Sequence, residues 1–125
     1  MQRLWMSLGL TATLAVMWCC GSALSQEPKY TIKEVMKMAH SGKPALCAKA
    51  QQGKATPEEL KMLVELYEAL AANKPPRGSV DDWKQRTSAL VEAAKALVAN
   101  EPDAIAKYKK ALNCAGCHKE HKPAA

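Results

Sequence analysis

No stretch of this sequence alternates apolar and polar residues over the length of a strand, and no segment repeats. Sheet folds and repeat arrays are set aside on that ground. Aromatic residues make up only 5% of the chain, phenylalanine is missing altogether, and no block of Lys or Arg is interleaved with aromatics. That excludes nucleic acid as a partner. Cysteine is scarce as well. Two of the five, Cys19 and Cys20, lie in the first 25 residues, which leaves Cys47, Cys114 and Cys117. Three cysteines, two of them only three positions apart, build no intramolecular disulfide framework.

What is present is concentrated near the C-terminal end, in Asn113-Cys114-Ala115-Gly116-Cys117-His118. Cys-X-X-Cys-His is the attachment signature of c-type haem. Two thiols must each form a thioether to one of the two vinyl groups of a porphyrin, and a histidine must reach the iron from the same side. On a helix, positions 114, 117 and 118 fall at i, i+3 and i+4, so the three side chains leave one face. Cys114 and Cys117 then hold one covalent haem c, and His118 is the proximal iron ligand. Two rival readings are weaker. A thioredoxin-like dithiol needs a strand-helix context that this chain lacks. A zinc site would have to combine Cys114, Cys117, His118 and His121, with two ligands adjacent in sequence and no distant second pair.

The first 25 residues read as a secretory signal: Arg3, an apolar run from Leu4 to Cys20, then small residues up to Ala23-Leu24-Ser25. Cleavage after Ser25 fits the small-residue rule. Leu4 to Leu24 is barely long enough to span a bilayer, so the reading is removal and no stable membrane insertion of the mature chain. Export agrees with the motif, because thioether attachment of this kind takes place outside the bacterial cytoplasm, and the expected location is the periplasm. Removing the segment takes away one cation and no acid, lowering the formal charge from +6 to +5. The remaining cations are scattered. They suit docking to a redox partner with an acidic face, and equally an ordinary solvated surface.

Helix signals organise residues 26–125 into one domain. Thr31 with Glu34 forms a capping box for a helix from Ile32 to His40. Pro44 opens a second piece over Ala45 to Gln52, ended by Gly53. Thr56-Pro57-Glu58-Glu59 opens the next helix, in which Leu60, Leu63, Val64, Tyr67, Leu70 and Ala71 repeat at helical spacing. After the Asn73–Gly78 loop, Ser79 caps a helix with Asp82 at the box position. Its seam is Val80, Trp83, Thr87, Leu90, Ala94 and Leu97. Asn100 is the expected cap of the last helix, with Pro102 in its first turn. Ile105, Tyr108 and Leu112 lead its inner face into the motif. The expectation is an all-α, up-down-up-down four-helix bundle with the haem-attachment motif at its C-terminal end.

A signal segment, four helices and a C-terminal Cys114-X-X-Cys117-His118 together resemble the class II c-type cytochromes, the cytochrome c-prime superfamily. Class I cytochromes c have the reverse order, with the motif early and a methionine ligand late. Relatives in the superfamily usually carry a basic residue four positions after the motif histidine, and Lys122 stands there. His121 stands where an aromatic commonly precedes it. The resemblance also implies dimers through helix faces, and a homodimer is one expectation for this chain.

In such a bundle the start of the first helix lies beside the end of the last, so the distal side of the iron should be supplied from residues 32–40. Met36 is the expected distal ligand, completing a His/Met pair for electron transfer. His40, on the same face one turn deeper, is the alternative. Met38 sits about 200° round the helix from Met36 and faces elsewhere. A third alternative is an open iron that binds nitric oxide or carbon monoxide, with Met36 only walling the pocket. His121 reads as part of a solvated terminus, with a proximal-side hydrogen-bond partner as the alternative. Trp83 and Tyr108 read as core or haem-packing residues, and Cys47 as a half-buried small hydrophobe in preference to an exposed thiol. No catalytic acid or base is called for. The expected function is that of a non-enzymatic, exported monohaem cytochrome carrying single electrons.

Overall fold

Helices begin where short polar side chains can take up their orphan N–H groups. The computed structural model describes residues 27–124, and every described segment of regular structure is helical. The leader expected over residues 1–25, with its cleavage point after Ser25, lies outside the described residues. Helix α1 (Ile32–Val35) starts from a complete capping box, Thr31 accepting from the Glu34 N–H and Glu34 reaching back to Thr31. It runs straight into a wider π-helical turn, Met36–His40. Helix α2 spans Leu46–Gln51. Helix α3 (Pro57–Ala72) has the same box between Thr56 and Glu59, with Pro57 in its first turn. Helix α4 (Val80–Val98) has half of one. Ser79 Oγ accepts from the Asp82 N–H at 3.3 Å, but the Asp82 carboxylate turns away to other partners.

Three boundaries differ from the sequence expectation. Ala45 is the extended N-cap of α2, so Pro44 precedes that helix and does not open it. Asn100 does not cap the next helix. Its φ of 53° makes it the left-handed residue that closes α4, where the Asn100 and Glu101 N–H groups donate to Leu97 and Ala96. This pair of bonds is a Schellman motif, in which Asn is tolerated because its short polar side chain accepts the left-handed region. Helix α5 accordingly begins later, at Ala104–Ala111, with Asp103 at its start and Pro102 outside it.

The third difference bears on the site. The motif does not continue α5. The chain leaves the helix at Leu112–Asn113, and a separate helix α6 (Cys114–His121) begins. Asn113 causes the break, its Oδ1 accepting from the Gly116 N–H at 3.1 Å as an N-cap.

The core lies between α3 and α4, which pack most extensively, with α5 against α4 and the N-terminal helices against α3. Leu63, Leu66, Tyr67 and Leu70 meet Trp83, Leu90, Ala94 and Leu97, and Val35, Ala39, Ala104 and Tyr108 close the ends. The expected α4 seam is buried except for Val80, which is exposed. Polar groups carried into the interior are matched. Trp83 Nε1 donates to the Asn73 carbonyl at 2.9 Å, and the Tyr67 and Tyr108 hydroxyls bond each other at 2.6 Å. Among the described residues no buried side-chain nitrogen or oxygen lacks a partner, as a well-formed interior requires. The fold is therefore a packed, all-helical one.

Candidate functional site

The break before α6 decides what the motif can reach. With Asn113 folded over the first turn, a Cβ on residue 116 would stand 2.5 Å from the Asn113 amide, so glycine and the asparagine cap belong together. From this start Cys114, Cys117 and His118 project along one side of α6 and line a cleft of about 280 Å³. Cys117 is half-buried, whereas Cys114 and His118 are exposed or nearly so at the cleft mouth.

The opposite wall comes from the other end of the described chain. Met36 and His40, both half-buried, enter the cleft from the π-helical turn, while Met38 is 41% exposed and stands outside it. Leu70, Leu90, Ala111 and Leu112 make the rest of the lining largely apolar. Thr87 adds no free polar group, because its buried hydroxyl donates to the Trp83 carbonyl at 2.8 Å. His40 lies with Nε2 3.4 Å from the Tyr67 hydroxyl, its ring tilted against the phenol. Burial pushes the His40 imidazole below its ordinary value, and the charge of His118 pushes the same way. The Cys117 thiol is raised by burial against a smaller lowering by Arg86, the opposite of what an activated redox dithiol needs.

His121 is the largest departure from expectation. It is 2% exposed and not part of a solvated terminus. Its Nε2 is 2.7 Å from Asp82 Oδ2, its Nδ1 is 2.9 Å from the Arg77 carbonyl, and its ring stands edge-on to Trp83. Gly78 makes room for it, since a Cβ there would come within 2.8 Å of Nδ1 and 2.7 Å of the Glu120 carbonyl. Arg77 closes the same clasp by donating from Nη2 to the Lys119 carbonyl at 2.6 Å and from Nε to that of Lys122. A cationic fork on the last carbonyls of a helix satisfies acceptors that have no partner within it. Lys122 itself is exposed. With both its nitrogens engaged, His121 is not free to join Cys114, Cys117 and His118 around zinc. No group of three or more His, Cys, Asp or Glu side chains among the described residues is placed to hold a metal ion.

Arg86 is the lining residue that sequence reasoning passed over. It enters the cleft from α4, its Nε held by Asp82 Oδ2 at 2.7 Å, and no Asp or Glu lines the cleft beside it. Nothing local in the sequence marks Arg86, one cation among many. Cys47, half-buried on α2, has its thiol raised by burial and then by the nearby Cys114. No helix among the described residues is long and apolar enough to cross a membrane. No protein-family model, curated protein or solved structure matches the chain.

Proposed function

We propose that this chain is an exported monohaem c-type cytochrome of the class II, cytochrome c-prime type, carrying single electrons for a redox partner with an acidic docking face. In this reading α1 with α2, then α3, then α4, then α5 with α6 are the four arms of an up-down-up-down bundle, and the periplasm is the place of work. The observation that carries it is the cleft. Two thiols and an imidazole at haem-attachment spacing share it with a thioether and a second imidazole from the far end of the chain.

The residues present fit a covalent haem. Cys114 and Cys117 are the two thiols that thioether attachment consumes, and Asn113 with Gly116 sets the turn that aims them. His118 would supply a ring nitrogen to the iron, and Met36 would supply its sulfur from the facing wall. Haem contributes reversible one-electron exchange at its iron when bound. Leu70, Leu90, Ala111 and Leu112 exclude water, which disfavours separated charge in the cleft and so helps set the potential. Tyr67 engages His40 Nε2 at 3.4 Å and so orients that ring, while no hydrogen bond engages the Met36 sulfur among the described residues. The clasp of Arg77, Asp82 and His121 holds α6 against α4, fixing the proximal side. No side chain here is asked to act as a catalytic acid or base.

The test is an absorption spectrum of the exported, matured protein, oxidised and reduced, with and without carbon monoxide, beside Met36→Ala. A weak red band of an iron–thioether bond, insensitive to the gas and lost in M36A, is expected. A high-spin spectrum that responds to carbon monoxide would replace electron transfer by gas binding at an open iron. Absence of covalent haem would overturn the assignment.

A further inference from the structure

We propose that Arg86 is a carboxylate-binding site in the wall of the cleft, and that its guanidinium takes a propionate of the haem; this rests on the cytochrome reading. A guanidinium offers five N–H donors in a planar fork. Here only the Nε edge is used, by Asp82 Oδ2 at 2.7 Å. Nη1 and Nη2 carry no hydrogen bond among the described residues, and the side chain is half-buried, 28% exposed.

The orientation of this fork is fixed from behind. The same Asp82 oxygen that binds Arg86 also accepts His121 Nε2 at 2.7 Å, so the carboxylate is tied to α6 as well as to α4. The charged and titratable groups acting on Arg86 are Asp82, Cys117 and Glu120, with His121 on the shared Asp82 oxygen and His40, Cys114 and His118 in the same cleft lining. Asp82 is committed to the Nε edge, and no acid lines the cleft. Arg86 is thus the one permanent cation lining a largely apolar cleft among the described residues, with its open donors unmatched by any anion there.

Haem brings two carboxylates, and a carboxylate entering a largely apolar cleft needs a charge-assisted partner. The chemistry of the ring places one within reach. A vinyl-bearing pyrrole neighbours a pyrrole that bears a propionate, so a cation close to a thioether cysteine is close to a carboxylate. Arg86 and Cys117 line the same cleft and lie within electrostatic reach of each other. One guanidinium then joins two carboxylates, Asp82 on its Nε edge and the propionate on its Nη edge.

The experiment compares matured wild-type protein with Arg86→Gln, Arg86→Lys and Ser88→Ala, an exposed control on the same helix. Covalent haem is first verified by its retention on a denaturing gel. Resonance Raman spectra then follow the propionate bending band against pH. In R86Q the band should move, and its titration should rise by about one pH unit or more, because a neighbouring cation is lost. R86K should restore the titration but not the band position, since a lysine keeps the charge and loses the fork. S88A should match wild type. R86Q or R86K with haem attached and both readouts unchanged would overturn the Arg86 site and leave the haem reading standing. Wild-type protein without covalent haem would overturn both.

Discussion

Two phenols meet at the centre of the molecule. Tyr67 and Tyr108 are each fully buried, and each hydroxyl depends on the other at 2.6 Å. Burial first, and then the neighbouring phenol and thiols, raises Tyr67 far above its ordinary value, so it stays a neutral hydrogen-bonding group. Tyr67 has a second contact, His40 Nε2 at 3.4 Å, whereas Tyr108 has none. Removing one hydroxyl strands the other at a cost of about 1–3 kcal/mol, and removing both is close to neutral. Urea unfolding should therefore rank Tyr67→Phe as more destabilising than Tyr108→Phe, with the double variant milder than Y67F alone. Equal, additive losses would mean the pair is not coupled. Helical spacing marks both residues as core positions. It cannot show the bond between them, because they lie on helices far apart in sequence.

At the scale of the element, α6 depends on a local exchange between Asn113 and Gly116. The cap satisfies an orphan N–H and is worth about 1 kcal/mol, while glycine inside a helix costs about as much relative to alanine. Gly116→Ala alone should destabilise α6, since the new Cβ would displace the Asn113 side chain that now lies within 2.5 Å. In an Asn113→Ala background the same change should be neutral or stabilising. Hydrogen exchange of the 114–121 amides reads both, and an additive result would exclude the coupling. Capping residues are the most legible part of this chain. Thr31, Thr56 and Ser79 cap where local chemistry says they should, because each bond closes within three residues. Asn100 misleads, since a residue suited to starting a helix is also suited to the left-handed turn that ends one, and its local sequence does not separate the two.

For the whole molecule, stability should follow the groups whose ionisation folding alters. Glu34, Glu59 and Asp82 are held below their ordinary values, the first by its bonds to Thr31, the second by Lys49 and Thr56, the third by Arg86 and His121. Depressed carboxylates contribute stability that is present above the ordinary values of 4.5 and 3.8 and is lost as pH falls through the lower folded values. His40, pushed down by burial, adds an earlier slope. The unfolded chain takes up that proton near 6.5 and the folded chain only at lower pH, so stability starts to fall below about 6.5. Urea midpoints of the protein measured from pH 8 to 3 should decline in these two stages. His40→Gln should remove the upper stage alone, and a flat profile down to pH 4 in wild type would contradict the His40 assignment.

The helical class, the starts of α1, α3 and α4, much of the buried seams and the spacing of Cys114, Cys117 and His118 are legible in the order of the residues, because each is written in spacings of three or four positions. Val80 and Ile105, expected on inner faces, are exposed, and Leu66 is buried outside the expected seam. Met36 and His40, expected there from the order of helices in a bundle, line the same cleft. What packing alone decides is that Arg86 enters the cleft wall and that His121, read locally as a solvated end, is buried on Asp82 and Trp83. The physical reason is range. Capping bonds and helical faces are settled within one turn of chain, whereas the partner of a buried charge or imidazole is chosen by how whole helices pack.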